Sequence, residues 1–219
     1  MHFSSKQSLL ILLAFILLPA STLAEQSGDW KVLPPTPTAR TEVAVVNHQG
    51  KIYLIGGFTP NGISDQVEVY DPKTDTWKQL APIPTPRDHL TISVANGLLY
   101  AIGGRVNVNY NQNLDTNEAY DPISNQWKTR APLPTARSGI TSQTINGKIY
   151  VFGGESGEGT FNENEAYDTK TNQWQAMPPM PKPCHGLGSA VVNGAIHLLN
   201  GGPHPGGGGS KYHQVFTPK

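Results

Sequence analysis

Apolar and polar residues alternate in short segments along most of the chain, and the apolar segments come in pairs. Asn-Gly between two apolar runs is typical of a tight β-hairpin, because both central residues of that turn adopt positive φ. The pattern therefore predicts four hairpins. Their turns are at Gln49-Gly50, Asn96-Gly97, Asn146-Gly147 and Asn193-Gly194, their first strands include residues 43–46, 90–94 and 187–192, and their second strands are Lys51–Ile55, Leu98–Ile102, Lys148–Phe152 and Ala195–Leu199.

A third and a fourth strand are predicted after each hairpin. In the first three copies a Gly-Gly pair ends the second strand, where the backbone bends or another segment passes close by. A variable loop then leads to a third strand that ends on Tyr70, Tyr120, Tyr167 or Phe216. The turn after it is typified by Asp71-Pro72, which suits a type I turn, and a Trp marks the fourth strand.

The same residues recur at a fixed period along the chain. The four tryptophans, Trp30, Trp77, Trp127 and Trp174, are 47, 50 and 47 residues apart. The tenth residue after each Trp is Arg40, Arg87 and Arg137 and, in the last copy, Cys184. A period in this range is typical of stacked or radially arranged units. The chain is therefore predicted to be an all-β repeat domain with four strands in each unit.

These features together resemble the Kelch repeat. Residues 137–174 carry the pattern most fully, with an Arg, Asn-Gly-Lys-Ile-Tyr-Val-Phe-Gly-Gly, Glu-Ala-Tyr-Asp and a final Trp. The resemblance implies a β-propeller with four blades of four antiparallel strands, the first strand of each blade lying nearest the axis. Small residues are found at the fourth position after each member of the Arg series, as close packing at an axis requires: Ala44, Thr91, Thr141 and Gly188.

The two ends of the repeat series complement each other. The last copy reaches Phe216 without a Trp strand after it, and Trp30 has no hairpin before it. We therefore expect residues 28–33 to supply the fourth strand of the last blade and to close the ring. Kelch propellers usually have six or seven blades. An open arc, or an eight-blade ring formed by two chains, is the alternative.

Residues 1–24 have the pattern of a signal peptide. Lys6 gives a basic start, residues 9–18 are almost continuously apolar, and Thr22-Leu23-Ala24 places small residues before a cut at Glu25. Ten apolar residues are too few to cross a bilayer. We expect a propeller domain of residues 25–219 that is periplasmic or secreted and has no membrane anchor after cleavage.

Composition and charge narrow the classes of function. The chain has 23 glycines and 19 prolines, many at repeated positions, which favours loop-rich β structure over disorder. Because 16 basic and 16 acidic residues balance to a formal charge of zero, we expect no nucleic-acid partner. Cys184 is the single Cys, so no disulfide can form within the chain.

The mouth of the expected channel is the best candidate site. Three arginines lie in the loops that enter the inner strands, and guanidinium groups bind carboxylates and sugars well. The alternative is that each Arg binds a loop carbonyl or an acidic residue of the protein itself. The candidate ligand-binding residues are Arg40, Glu42, Arg87, Asp88, His89, Arg137, Ser138, Cys184 and His185.

The other reactive residues give weaker signals. The histidines have no close ligand spacing and no acidic cluster beside them, so we expect no metal site and no cofactor. Cys184 is expected to be unreactive, because His185 is only its sequence neighbour. Residues 105–117 and 203–210 are expected to be flexible surface loops. The Tyr, Trp, Glu and Gly-Gly residues that recur in the copies are interpreted as scaffold.

Two functions fit this sequence. The favoured one is an exported, non-catalytic binding module that presents its loops and channel mouth to a protein or a glycan, as a monomer, or as a dimer if four blades do not close. The second is a periplasmic carbohydrate-active enzyme resembling Kelch-type sialic acid mutarotases, in which Glu42, Asp88 or His89 would act as acid or base. A copper oxidase resembling galactose oxidase is disfavoured, because its Cys, Tyr and His ligand set cannot be mapped here.

Overall fold

The computed structural model describes residues 29–107 and 110–219, and the regular structure in these ranges consists of β-strands and turns. The predicted signal peptide lies outside the described residues. Within those ranges there is no helix of the length and apolarity needed to span a membrane. Leu33–Lys219 form one compact unit, which contains all the strands of the described residues.

The strands form four successive antiparallel sheets, which are the four blades of a β-propeller. The first blade contains β1 (Ala44–His48), β2 (Lys51–Ile55), a short hairpin of β3 (Phe58–Thr59) and β4 (Gly62–Ile63), β5 (Val67–Asp71) and β6 (Thr76–Gln79). The second contains β7 (Thr91–Ala95), β8 (Leu98–Ile102), β9 (Asn117–Asp121) and β10 (Gln126–Thr129). The third contains β11 (Thr141–Ile145), β12 (Lys148–Phe152), β13 (Asn164–Asp168) and β14 (Gln173–Ala176), and the fourth contains β15 (Gly188–Val192), β16 (Ala195–Leu199) and β17 (His213–Phe216).

Strand order follows chain order within each blade, as the repeat predicts. The first blade is ordered β1-β2-β5-β6, and the second and third repeat that order. Asn96 and Gly97 in the β7–β8 turn both have positive φ, at 49° and 81°, as a tight Asn-Gly turn requires. The predicted hairpins and third strands are therefore confirmed to within a few residues.

Three apolar cores lie between neighbouring blades. Ile55 and Val67 of the first blade pack with Leu99 and Tyr120 of the second. Equivalent clusters join the second blade to the third and the third to the fourth. The second and third blades therefore bury one face against the blade before them and the other against the blade after them, whereas these cores bury one face of the first blade and one face of the fourth.

The Gly-Gly pairs set the distance between blades. A Cβ on Gly56 would lie 2.5 Å from the carbonyl oxygen of Arg87 in the next blade, and Gly57 N donates to that same oxygen at 3.0 Å. Gly104 and Gly154 donate to Arg137 O and Cys184 O in the same way, at 3.1 and 3.0 Å. Glycine is needed here both for positive φ and for the close approach of the next blade.

The outer strand of a blade is tied to the segment that leaves the previous blade. Trp127 Nε1 donates to Ala81 O at 3.0 Å, and Ala81 N donates to Asn125 Oδ1 at 2.9 Å. Tyr120 Oη donates to the same amide oxygen at 2.6 Å. In the first blade the equivalent indole nitrogen, Trp77 Nε1, is buried and has no hydrogen-bond partner among the described residues.

The described part of the segment expected to close the ring, residues 29–33, contains no strand. The fourth sheet has three strands, residues 29–35 form no strand, and Trp30 is fully exposed at 100%. The inner strands pack in the sequence β1–β7–β11–β15, and within Leu33–Lys219 no packing of that extent joins β15 to β1. The repeat identified which strand the fourth blade lacks. Whether the angles between four neighbouring blades add up to a closed ring depends on side-chain packing between the blades, which the repeat does not encode.

Alkaline pH is expected to destabilise the fold through its buried tyrosines. Burial, helped by the charge of Asp121, raises the pKa of Tyr120 from 10.0 to about 12. The folded state therefore holds this proton more tightly than the unfolded state does. The stabilisation is complete below pH 10 and is lost as the pH rises towards 12.

Denaturant unfolding at a series of pH values tests this expectation. Tyr120→Phe is expected to reduce the fall in unfolding free energy between pH 10 and 12, although it also removes the bond to Asn125 and lowers stability at neutral pH. Tyr212→Phe is the matched control. A pH slope that is the same in Tyr120→Phe and the wild type would contradict the expectation.

Candidate functional site

The three repeated arginines are buried inside their own blades. Arg87 is 0% exposed, and its Nη1 donates to Glu118 Oε2 at 2.6 Å and to Thr85 O at 2.7 Å. Its Nη2 donates to Ala101 O at 2.9 Å. Burial lowers the pKa of Arg87, and the negative charge of Glu118 opposes that shift. The guanidinium is a structural cross-link between the entering loop and the third strand.

Arg40 and Arg137 make the same cross-link in the first and third blades. Arg40 pairs with Glu68 at 2.6 Å, and Arg137 pairs with Glu165 and also donates to Gly153 O at 2.8 Å. The expectation that these arginines ring the mouth is therefore corrected. A buried guanidinium requires a carboxylate and several carbonyl oxygens around it, and each blade supplies them internally.

The fourth blade replaces both members of this ion pair with neutral residues. Cys184 stands at the Arg position, is fully buried, and burial raises the pKa of its thiol. Gln214 stands at the Glu position, where its side-chain amide accepts from Lys182 N at 2.8 Å and donates to Lys182 O at 3.0 Å. Losing both charges together avoids an unpaired buried ion, and the raised pKa agrees with an unreactive thiol.

The channel mouth is built from two positions that differ from blade to blade. One is the residue directly after the Arg position, and the other is the residue directly after the Gly-Gly pair. The two residues of each blade face each other in an isolated β-bridge. These bridges are Thr41–Phe58, Asp88–Arg105, Ser138–Glu155 and His185–Gly202.

Arg105 is the centre of a charged cluster that joins three blades. Its Nη1 donates to Glu155 Oε1 at 2.7 Å, and its Nη2 lies 2.9 Å from His89 Nε2. Its Nε lies 3.5 Å from Asp88 Oδ1. Arg105, Asp88 and Glu155 are all nearly fully buried, and Glu42 reaches in from the first blade to 3.4 Å from His89 Nε2. We call these five residues, together with His185, the mouth cluster.

His89 lies between charged groups on both of its ring nitrogens. Its Nδ1 lies 2.5 Å from Asp88 Oδ1. Its Nε2 lies 2.9 Å from Arg105 Nη2 and 3.4 Å from Glu42 Oε2. The nitrogen that could exchange a proton with a ligand therefore already faces Arg105 and Glu42.

Glu155 extends the mouth cluster into the fourth blade. Its Oε2 lies 3.3 Å from His185 Nδ1 and accepts from Gly206 N at 2.7 Å. His185 Nε2 is buried without a partner among the described residues and lies against Gly202, where any Cβ would clash with it. Asp88 Oδ2 and Arg105 Nε are likewise buried with no hydrogen-bond partner in the part of the chain that the structure describes. A buried polar atom without a partner is costly, so these three atoms are available to a bound water or ligand.

Three variable loops interlock above the mouth cluster. The ring of Tyr110 in the second-blade loop lies 4.6 Å from Arg105 Cζ, in a cation–π contact. Asn113 Nδ2 donates to Glu155 O at 2.6 Å. Thr160 Oγ1 in the third-blade loop donates to Pro203 O in the fourth-blade loop at 3.2 Å. The polar groups of these loops therefore bond to one another across blades, and the flexibility expected of residues 105–117 and 203–210 stays a prediction.

The structure brings together five of the predicted site residues and separates the other four. Ser138 Oγ lies 3.4 Å from Arg105 Nη1 and so joins Glu42, Asp88, His89 and His185 at the mouth. Arg40, Arg87, Arg137 and Cys184 lie within the blades. Arg105, Glu155 and Tyr110 were missed. The signal for the first two was available, since the residue after each Gly-Gly pair is different in every copy.

A cavity of about 270 Å³ lies beside the inner strands. Hydroxyl and amide groups line much of it, including Thr91, Ser142, Gln143 and Ser189. Several of these groups bond to each other, as in the contact of Thr91 Oγ1 with Ser142 Oγ at 2.8 Å. Among residues 29–107 and 110–219 no group of three or more His, Cys, Asp or Glu has the arrangement of a metal site.

Repeated four-stranded blades, a Gly-Gly contact between blades and one internal Arg–Glu pair in most blades define a β-propeller of the repeat type. The KLHDC2/KLHL20/DRC7 Kelch-repeats domain matches residues 83–216, and the Kelch motif matches residues 39–84. The chain belongs to the Kelch-repeat family.

Individual relatives match over short segments. An F-box/kelch-repeat protein of Arabidopsis thaliana is 46% identical over 50 residues, which cover 23% of this chain and 14% of that protein. Kelch-like protein 40 of Xenopus laevis is 39% identical over 46 residues, which cover 21% of this chain and 8% of that protein. The aligned segments thus span only a small fraction of either relative.

A solved structure shares the fold over a longer stretch. The structure of YjhT superposes with a TM-score of 0.70 at 22% identity, and the match covers 80% of this chain and 62% of that one. At this level of identity the likeness concerns the fold alone.

The Arg–Glu pair of the second blade is expected to be strongly coupled. Glu118→Gln leaves a buried guanidinium without its counter-charge and is expected to lower the unfolding free energy by about 3–5 kcal/mol. Arg87→Cys leaves a buried carboxylate and is expected to cost a similar amount. The double variant reproduces the pair found in the fourth blade, so it should cost much less than the sum of the two single changes.

Denaturant titration of the wild type, the two single variants and the double variant forms the double-mutant cycle. Gln214→Ala in the fourth blade is the neutral control and is expected to cost about 1 kcal/mol. Additive costs within experimental error would show that Arg87 and Glu118 are not energetically coupled.

Proposed function

We propose that this protein is a non-catalytic binding module, exported from the cell, whose binding surface is the channel mouth. The mouth cluster and the three loops above it form that surface, and its ligand is a protein or a glycan. The observation that carries the proposal is that repeated and varied residues lie in different places. The repeated arginines form ion pairs inside the blades, whereas the residues that differ between blades converge at one mouth.

The chemistry of the mouth favours ligands that donate hydrogen bonds. Three carboxylates, those of Glu42, Asp88 and Glu155, lie around the single guanidinium of Arg105 and His89. Sugar hydroxyls and the Lys or Arg side chains of a protein would satisfy such acceptor oxygens. A carboxylate ligand would meet like charge there. Tyr110 is half-buried and adds an aromatic ring at the rim, a residue type enriched in binding surfaces.

Binding is tested with a glycan array and a displayed random-peptide library, each probed with the wild type and with Glu42→Ala/Tyr110→Ala. Both residues retain exposed surface, so the double variant is expected to fold normally. Removing them should weaken any ligand selected by the wild type by at least about tenfold.

Lys73→Ala/Ile123→Ala is the matched control. These two exposed residues lie in the turns after β5 and β9, at the end of the blades opposite the mouth, and should leave binding unchanged. Absence of any ligand in both screens, or equal binding by the mouth variant, would contradict the proposal.

The second candidate function, a sugar mutarotase, is favoured by one observation. Asp88 and His89 form an oriented carboxylate–imidazole pair, which is a common arrangement for a general base. Arg105 stands against this function, because it occupies the nitrogen that would take the proton.

NMR measurement of anomer exchange in N-acetylneuraminic acid, with and without the protein, distinguishes the two functions. A binding module should leave the exchange rate at its uncatalysed value. A clear acceleration that is lost in His89→Asn and kept in the control His48→Asn would establish the enzyme instead.

A further inference from the structure

Each of the second, third and fourth blades buries one face against the blade before it, and the first blade exposes the equivalent face. In the second blade the equivalent face, with Ile92, Leu99 and Ala101, packs into the core shared with the first blade, and Leu99 and Ala101 are 0% exposed. In the first blade the same positions are Val45, Ile52 and Leu54, and Val45 is 54% exposed. We call Val45, Asn47, Ile52 and Leu54 the first-blade free face.

The fourth blade exposes the opposite face. In the third blade the equivalent residues Tyr150, Phe152 and Ala166 pack against the fourth blade and are almost completely buried. Strand register places their fourth-blade counterparts at His197, Leu199 and Val215, with Leu199 39% and Val215 54% exposed. We call Ala190, His197, Leu199, His213 and Val215 the fourth-blade free face.

The two free faces are the two halves of the interface that this fold makes three times within the chain. Each internal interface joins a face of the fourth-blade type to a face of the first-blade type. The backbone positions of the two free faces are therefore those of an interface that the fold already forms. His197 and His213 bond to each other, Nδ1 to Nε2 at 2.9 Å, so this polar pair is satisfied when the face is covered.

A backbone donor and acceptor are matched in the same way. Gly57, Gly104 and Gly154 each donate to the carbonyl at the Arg position of the following blade. Gly201 occupies this position in the fourth blade, and no such bond from its N–H exists within the described residues. Arg40 O, the first-blade counterpart of the acceptors, receives no such donor from any residue that the structure describes.

We propose that the protein assembles head to tail with a second copy of itself, the fourth-blade free face of one copy packing on the first-blade free face of the next. Every copy carries both free faces, so two copies of this chain can cover each other's exposed face. In this contact Gly201 N of one copy donates to Arg40 O of the other. The interface is heterologous, and it yields a closed ring or a longer assembly depending on the rotation between copies. This inference does not depend on the proposed ligand function.

The experiment measures the molar mass of the protein purified after expression of the full chain. Light scattering over a range of concentrations should show an assembly of two or more copies. Val45→Asp and Val215→Asp each spoil one face and should each weaken association by at least about tenfold. Ile123→Asp, at a turn residue that is 96% exposed, is the control and should associate like the wild type. Val45 and Val215 are each about half exposed in the single chain, so both variants should have a thermal unfolding midpoint close to that of the control.

Mixing the two variants provides the decisive measurement. Val45→Asp keeps an intact fourth-blade face and Val215→Asp keeps an intact first-blade face, so an equimolar mixture should form a dimer that neither variant forms alone. As a measurement without any variant, amide exchange at Gly201 should slow as the wild-type concentration rises. A monomeric wild type at all concentrations, variants that associate normally, or a mixture that stays monomeric would each overturn the proposal.

Discussion

The contact between a Gly-Gly pair and the entering loop of the next blade is the constraint on which the rest of this structure depends. The first glycine leaves room for the neighbouring carbonyl, and the second donates a hydrogen bond to it, as Gly57 does to Arg87 O at 3.0 Å. This one contact fixes how closely the blades approach. It also fixes the position of the residue after each pair, because that residue forms a β-bridge to the entering loop at the mouth. Scaffold and candidate site are thus positioned by the same few backbone atoms.

The buried ion pairs follow from that constraint. A loop held against the next blade buries its Arg side chain, and a buried guanidinium requires a carboxylate within the same blade. Glu118 meets this need for Arg87, and the fourth blade removes the need by carrying Cys184 and Gln214 instead. The change from Arg to Cys therefore does not mark a reactive site. It is one half of a neutral replacement whose other half lies 30 residues further along the chain.

The sequence predicted most of the scaffold because the scaffold is local and repeated. Asn96-Gly97 specifies its hairpin through φ alone, and the period of Trp127 and its counterparts identifies the blades. Closure could not be predicted in this way, since it depends on the sum of small packing angles between blades. Arg105 was missed because its partners, His89 and Glu155, lie on two different blades, and only the fold brings them within hydrogen-bonding distance.

The mouth cluster shows why position in a repeat is a better guide to function than residue type. Three arginines looked like ligand-binding groups, yet each is enclosed by carbonyl oxygens and a carboxylate of its own blade. Arg105 has the same side chain but sits at a position that varies between copies, and besides Asp88 and His89 of its own blade it binds Glu155 of the third blade. Its guanidinium lies among the carboxylates of Asp88 and Glu155, and its Nη2 lies 2.9 Å from His89 Nε2. Because three carboxylates, including that of Glu42, converge on this one guanidinium and its imidazole neighbour, the ligand that we propose for the mouth is one rich in hydrogen-bond donors.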